Sequence, residues 1–168
     1  MKHILPILTI TTLAAAASAQ SAAASSGLSY NRVGLGYNTD SKGFSLSASA
    51  LIGSSNFLVE ADTTIGGGNT LGNGSDSVSL GYVLKNVALG ADATVSVGSN
   101  EAIGLTFRKD LGNSLELAVG YARQSGVNGW GVELAYNVSK QIQVAVGVSD
   151  NNAAGSSSTT DISVRYNF

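Results

Sequence analysis

From Ser29 to the C-terminus, apolar residues alternate with small or polar ones at a period of two, interrupted by clusters of Gly, Ser, Asn and Asp. Successive side chains of an extended strand point to opposite faces, so this period predicts β-strands with two unlike faces rather than helices. Ten strands follow, over 30–38, 43–52, 56–65, 77–84, 87–97, 102–108, 114–122, 129–138, 141–149 and 160–168. The division at Lys85-Asn86 is the least marked, and another split there reduces the count to eight or nine. An alternating run after a turn recurs at Phe57, Val87, Leu115 and Ile142, one hairpin per repeat. Short connections (53–55, 85–86, 109–113, 139–140) fall at one end of the strands and the two longest, 66–76 and 150–159, at the other.

The contents of the two phases decide what each face meets. One phase is continuously apolar, from Val33, Leu35 and Tyr37 through Leu46, Val78 and Leu80 to Ile162, Val164, Tyr166 and Phe168, and carries no charge within the strands as drawn. The other holds Ser45, Ser47, Ser49, Gly104, Gly120, Gly131 and Gly147. It also holds the charges Arg32, Glu60, Asp62, Lys85, Asp92, Arg108, Glu116, Glu133, Asp161 and Arg165. A soluble barrel would put its apolar phase inside and a dense mixture of charges outside. This second phase is too small and too sparsely charged for that, but it suits a narrow lumen with the apolar phase turned toward lipid. A Lys or Arg at the lipid-facing midplane costs roughly 2–4 kcal/mol, which accounts for an uncharged phase.

Ten of the eleven aromatic residues belong to the apolar phase, Tyr30 being the exception. Phe57, Tyr82, Phe107 and Tyr136 map to the short-turn rim, and Tyr37, Phe44, Tyr121 and Trp130 to the long-loop rim, as two interfacial girdles would. Unpaired backbone groups cannot face hydrocarbon, so the first and last strands must pair. The expected fold is all-β, a transmembrane antiparallel up-and-down β-barrel of ten strands, with eight as the alternative.

Composition supports a membrane address. Only 12% of residues are charged, against about 25% in soluble domains. Lys2 and His3 precede the apolar run 4–13, which leads into Ala17-Ser18-Ala19, so residues 1–19 read as a cleaved signal peptide and 20–168 as the barrel domain. The apolar run is too short and wrongly flanked for a membrane-spanning helix. The sequence has no Cys, hence no thiol nucleophile, disulfide or acyl anchor. Its only His is His3, in the signal peptide, and a formal net charge of -2 offers nothing to nucleic acid.

The chain ends Val164-Arg-Tyr166-Asn-Phe168, which resembles the C-terminal signal read by the outer-membrane barrel assembly machinery. With the signal peptide and the opening Tyr30-Asn-Arg-Val-Gly-Leu-Gly-Tyr37, the mature chain resembles small opacity-type proteins of the porin superfamily. The resemblance implies residence in a Gram-negative outer membrane, with Val164, Tyr166 and Phe168 as the assembly signal. Lipid and the assembly machinery would be the partners of a monomer.

No catalytic constellation emerges. A mature chain without His or Cys lacks the usual general base, and no enzyme, cofactor or metal is expected. Glu60 and Asp62 share a strand face but are better read as members of a lumenal salt-bridge network with Arg32, Arg108 and Arg165. Gly72-Asn-Gly-Ser-Asp76 is a single calcium-repeat-like unit, not an array. The expected function is a small porin-like channel for small solutes or ions, with a slight cation preference from four basic against six acidic inward positions. A non-conducting structural or adhesive barrel with a plugged lumen is the alternative, and a soluble secreted β-protein the second.

Overall fold

The computed structural model describes residues 27–66 and 76–168. The signal-peptide segment and most of the 66–76 connection, with its calcium-like motif, lie outside the described residues. The strands are β1 (Arg32–Asn38), β2 (Gly43–Leu51), β3 (Phe57–Gly66), β4 (Asp76–Ala88) and β5 (Ala91–Gly98), followed by β6 (Ala102–Gly112), β7 (Leu115–Gln124), β8 (Val127–Asn137), β9 (Ile142–Asn151) and β10 (Thr159–Asn167). Each pairs antiparallel with its sequence neighbours, and β1 also pairs with β10, so the sheet closes into a ten-stranded barrel. Closure leaves no bare edge, because Val33 faces both Ala48 and Tyr166 in register.

Register puts like with like on each face. Outside, Leu35 lies between Leu46 and Val164, and Val132 between Val119 and Val148. Inside, Gly120 is flanked by Thr106 and Gly131. The outer wall is consequently a belt of large apolar side chains open to the surroundings: Leu35 is 54% exposed and Val146 47%. A contiguous surface of this size signals a non-aqueous neighbour.

Three details depart from the sequence expectation. The β4–β5 hairpin closes at 89–90 and not at Lys85-Asn86: Leu89 (φ 53°) and Gly90 (φ 75°) make a two-residue turn with both φ positive, the form whose twist matches paired strands. Asn86 (φ 55°) sits instead in an irregularity between Leu84 and Ala88, where its amide donates to Asp92 Oδ1 at 2.9 Å. Strands β6, β7 and β9 run further than predicted and carry Lys109, Arg123 and Asp150 on the outward phase, all at strand ends, where water is within reach. Finally, β1 begins at Arg32, so Tyr30 belongs to no strand.

Candidate functional site

The bore is built from inward positions of all ten strands. Gly and Ser pack closely against each other along it: a Cβ at Gly36 would come within 2.4 Å of Ser45 Oγ, so serine hydroxyls occupy the room above several glycines. Among the described residues, three cavities lie along the bore. One of about 440 Å³ opens toward the long-connection end, bordered by Ser96, Gly104, Ala122, Asn151 and Thr159. It adjoins a middle cavity of about 300 Å³, with Thr106, Gly120, Gly131 and Ser149 common to both. A third, of about 410 Å³, lies at the short-turn mouth between Ser29, Glu116, Gln143 and Lys140.

Between the middle cavity and the short-turn cavity stands an ionic septum. Arg108 Nε donates to Glu116 Oε1 at 2.6 Å, and both side chains are buried. Arg108 faces the middle cavity, whereas Glu116 faces the short-turn one. Gln143, only 2% exposed, ties the layer together: its Nε2 donates to Glu116 Oε2 and Asn137 Oδ1, each at 3.0 Å, and its Oε1 accepts from Arg165 Nη1 at 3.3 Å. Arg165 in turn grips Glu133 with both terminal nitrogens, Nη1 to Oε1 at 2.6 Å and Nη2 to Oε2. This fork-to-fork pairing is the strong geometry of guanidinium with carboxylate. The chain of contacts therefore links five consecutive strands, from β6 through β7 and β9 to β10 and back to β8.

The remaining charged positions are distributed differently from the expected network. The two ion pairs among the described residues are Arg108–Glu116 and Arg165–Glu133. Glu60 accepts from Ser79 Oγ at 3.2 Å, and Asp161 from Asn38 Nδ2 at 2.9 Å. Glu60 and Asp62 are thus not salt-bridged to an arginine, because closure brings Glu116 and Glu133 closer to the guanidinium groups than the β3 carboxylates. Arg32 lines the middle cavity with Nη1 buried and without a hydrogen-bond partner. Lys85, beside the β4 irregularity, makes no ion pair among the described residues. Three arginines and three carboxylates (Glu60, Glu133, Asp161) border the middle cavity, so its charge is balanced.

Asp92 is wholly buried and accepts from Tyr30 Oη at 2.8 Å. The Arg108 guanidinium lies 4.7 Å over the Tyr30 ring. Tyr30 and Gln143 are the members of the layer that charge-based reading overlooks; Tyr30 is marked in the sequence as the one aromatic off the apolar phase.

On the outer wall the aromatic positions sort by end. Tyr37 and Phe44 meet at 5.1 Å and Tyr121 faces Trp130 at the long-connection end. At the other end Phe57 meets Tyr82 at 5.1 Å and Tyr166 stacks on Phe168 at 6.3 Å, with Phe107 and Tyr136 on the same rim. Among the described residues no group of three His, Cys, Asp or Glu could hold a metal ion.

No family model matches the sequence, and no curated protein sequence matches it. Among solved structures, the fold is similar to that of the KdgM porin in complex with disordered oligogalacturonate, at 12% identity over 82% of this chain and 99% of that one, with a TM-score of 0.51. The NanC porin in a rhombohedral crystal form matches at 13% identity over 82% of this chain and 98% of that one, with a TM-score of 0.44. At 12% identity the likeness to the first of these is one of fold alone, a closed antiparallel β-barrel.

Proposed function

We propose that the protein is a narrow channel of the Gram-negative outer membrane, passing ions or small solutes through a bore constricted at the Arg108–Glu116–Gln143–Arg165 layer. The observation that carries the reading is the stack of three cavities in one barrel, with the middle one parted from the short-turn one by a single layer of ion-paired and hydrogen-bonded side chains. The apolar belt supports insertion in lipid, and the two aromatic rims would seat at the interfaces. Residues 1–19 would direct export and be removed, and Val164, Tyr166 and Phe168 would present the assembly signal. The short-turn end would face the periplasm and the barrel would work as a monomer, without enzymatic activity or cofactor. Balanced charge around the middle cavity favours weak ion selectivity over the cation preference that a count of inward charges suggests.

A second reading is a closed structural or adhesive barrel, favoured by the complete hydrogen bonding of Glu116 and Gln143 within the layer. Planar-bilayer recording separates the two. The channel reading expects discrete conductance steps from the purified protein, and larger ones when Arg108 is neutralised than when Arg32 is. Silence in the wild type and in both variants refutes it and leaves the closed barrel.

A further inference from the structure

Leu51, Leu58 and Val83 are large apolar residues on the inward phase of β2, β3 and β4, where Ser and Gly otherwise predominate. Leu58 and Val83 are nevertheless buried, at 3% and 0% exposure, and the side chains that cover them are Leu28 and Tyr30, from the segment preceding β1. That segment joins no strand. It is held by side-chain contacts and one backbone bond: Tyr30 Oη donates to Asp92 Oδ2 at 2.8 Å, Ser49 Oγ donates to the Tyr30 carbonyl at 2.8 Å, the Leu51 amide donates to Asn31 Oδ1 at 2.9 Å, and the Phe168 amide donates to the Asn31 carbonyl at 3.1 Å. Gly27 has φ of +73°, a left-handed conformation that favours glycine, and a Cβ there would meet the Asp110 carboxylate at the short-turn rim.

We propose that residues 27–31 form a latch seated inside the bore: Leu28 and Tyr30 plug an apolar seat made by Leu51, Leu58 and Val83, and their release opens the β2–β5 side of the short-turn mouth. Because the paired positions of β1 with β2 and β10 begin at Arg32, unseating Leu28 and Tyr30 breaks none of them. Release also frees Arg108 from the Tyr30 ring and so loosens the septum beside it. The effect on current rests on the channel reading above, whereas the effect on access to the seat does not.

The cysteine-free sequence permits a direct test. Val83→Cys places a single thiol under the latch, and its labelling by a small membrane-impermeant maleimide is timed in lipid vesicles with the latch intact and with Leu28→Ala/Tyr30→Ala. Folded barrel is scored separately by heat-modifiable electrophoretic mobility. The latch predicts labelling at least about tenfold faster in the double variant, as for local opening of a buried site. Tyr30→Phe, which loses only the bond to Asp92, should fall between the two and serves alone should the double variant not fold. Equal rates in all folded variants overturn the latch whatever the current. Faster labelling with larger current steps supports latch and channel together; faster labelling with no current in any variant supports the latch and overturns the channel.

Discussion

Converting Glu116 to Gln keeps the shape of the septum and removes one charge, which makes it a sharp test of the layer's energetics. At 2.6 Å and an effective dielectric constant near 20, the attraction between Arg108 and Glu116 is roughly 6 kcal/mol. Taking both ions out of water costs several kcal/mol each, so the intact pair contributes little net stability. Breaking it is another matter: Glu116→Gln leaves a buried guanidinium uncompensated and should destabilise the barrel by about 3–5 kcal/mol. Replacing both partners, as Arg108→Met/Glu116→Leu, should recover most of that loss, apart from about 0.5–2 kcal/mol of cation–π contact with Tyr30. Trp130 is the sole tryptophan and lies on the outer wall, so urea unfolding in lipid vesicles can be followed by its fluorescence. The reasoning fails if Glu116→Gln costs less than about 1 kcal/mol, or if the double variant is as unstable as the sum of Arg108→Met and Glu116→Leu made singly.

Other substitutions probe the two faces and the chain end. Val132→Arg, mid-strand on the outer wall, should cost about 2–4 kcal/mol in the same unfolding assay, while Asn128→Arg near the long-connection rim should cost about 0–1 kcal/mol. Arg32→Met should leave the barrel at least as stable as the wild type, since burying an unsatisfied donor costs about 1–3 kcal/mol and Arg32 Nη1 has no partner. Phe168→Ala should reduce the amount of folded barrel reaching the outer membrane, read by fractionation and heat-modifiable mobility, because Phe168 ends the alternating signal and stacks on Tyr166.

Much of the barrel was legible because one side chain in two reports the face it meets. The period set ten strands, and the contents of the phases set inside from outside. The β4–β5 turn was misplaced because Asn86 has the chemistry of a turn residue and does adopt positive φ, but as an irregularity anchored by Asp92. Which carboxylate meets which guanidinium was beyond sequence reasoning: strand stagger around a closed sheet sets how Arg165 reaches Glu133 two strands away, and alternation carries no record of it. The segment before β1 escapes the period because its last two residues, 30 and 31, fall within the first predicted strand. Its signals were present all the same, in an aromatic off phase at Tyr30 and in Leu51, Leu58 and Val83, large apolar residues on a wall of small ones.

The account stands on the orientation of the two faces, and site-directed spin labelling tests it most directly. Nitroxides at Leu46, Val132 and Val146 on the barrel in lipid vesicles should be reached by dissolved oxygen and shielded from a water-soluble nickel chelate, with labels at Ser47 and Ser149 reporting the reverse. Nickel access at the first three positions would mean that the apolar wall faces water, and the reading of the molecule as an outer-membrane channel would be wrong.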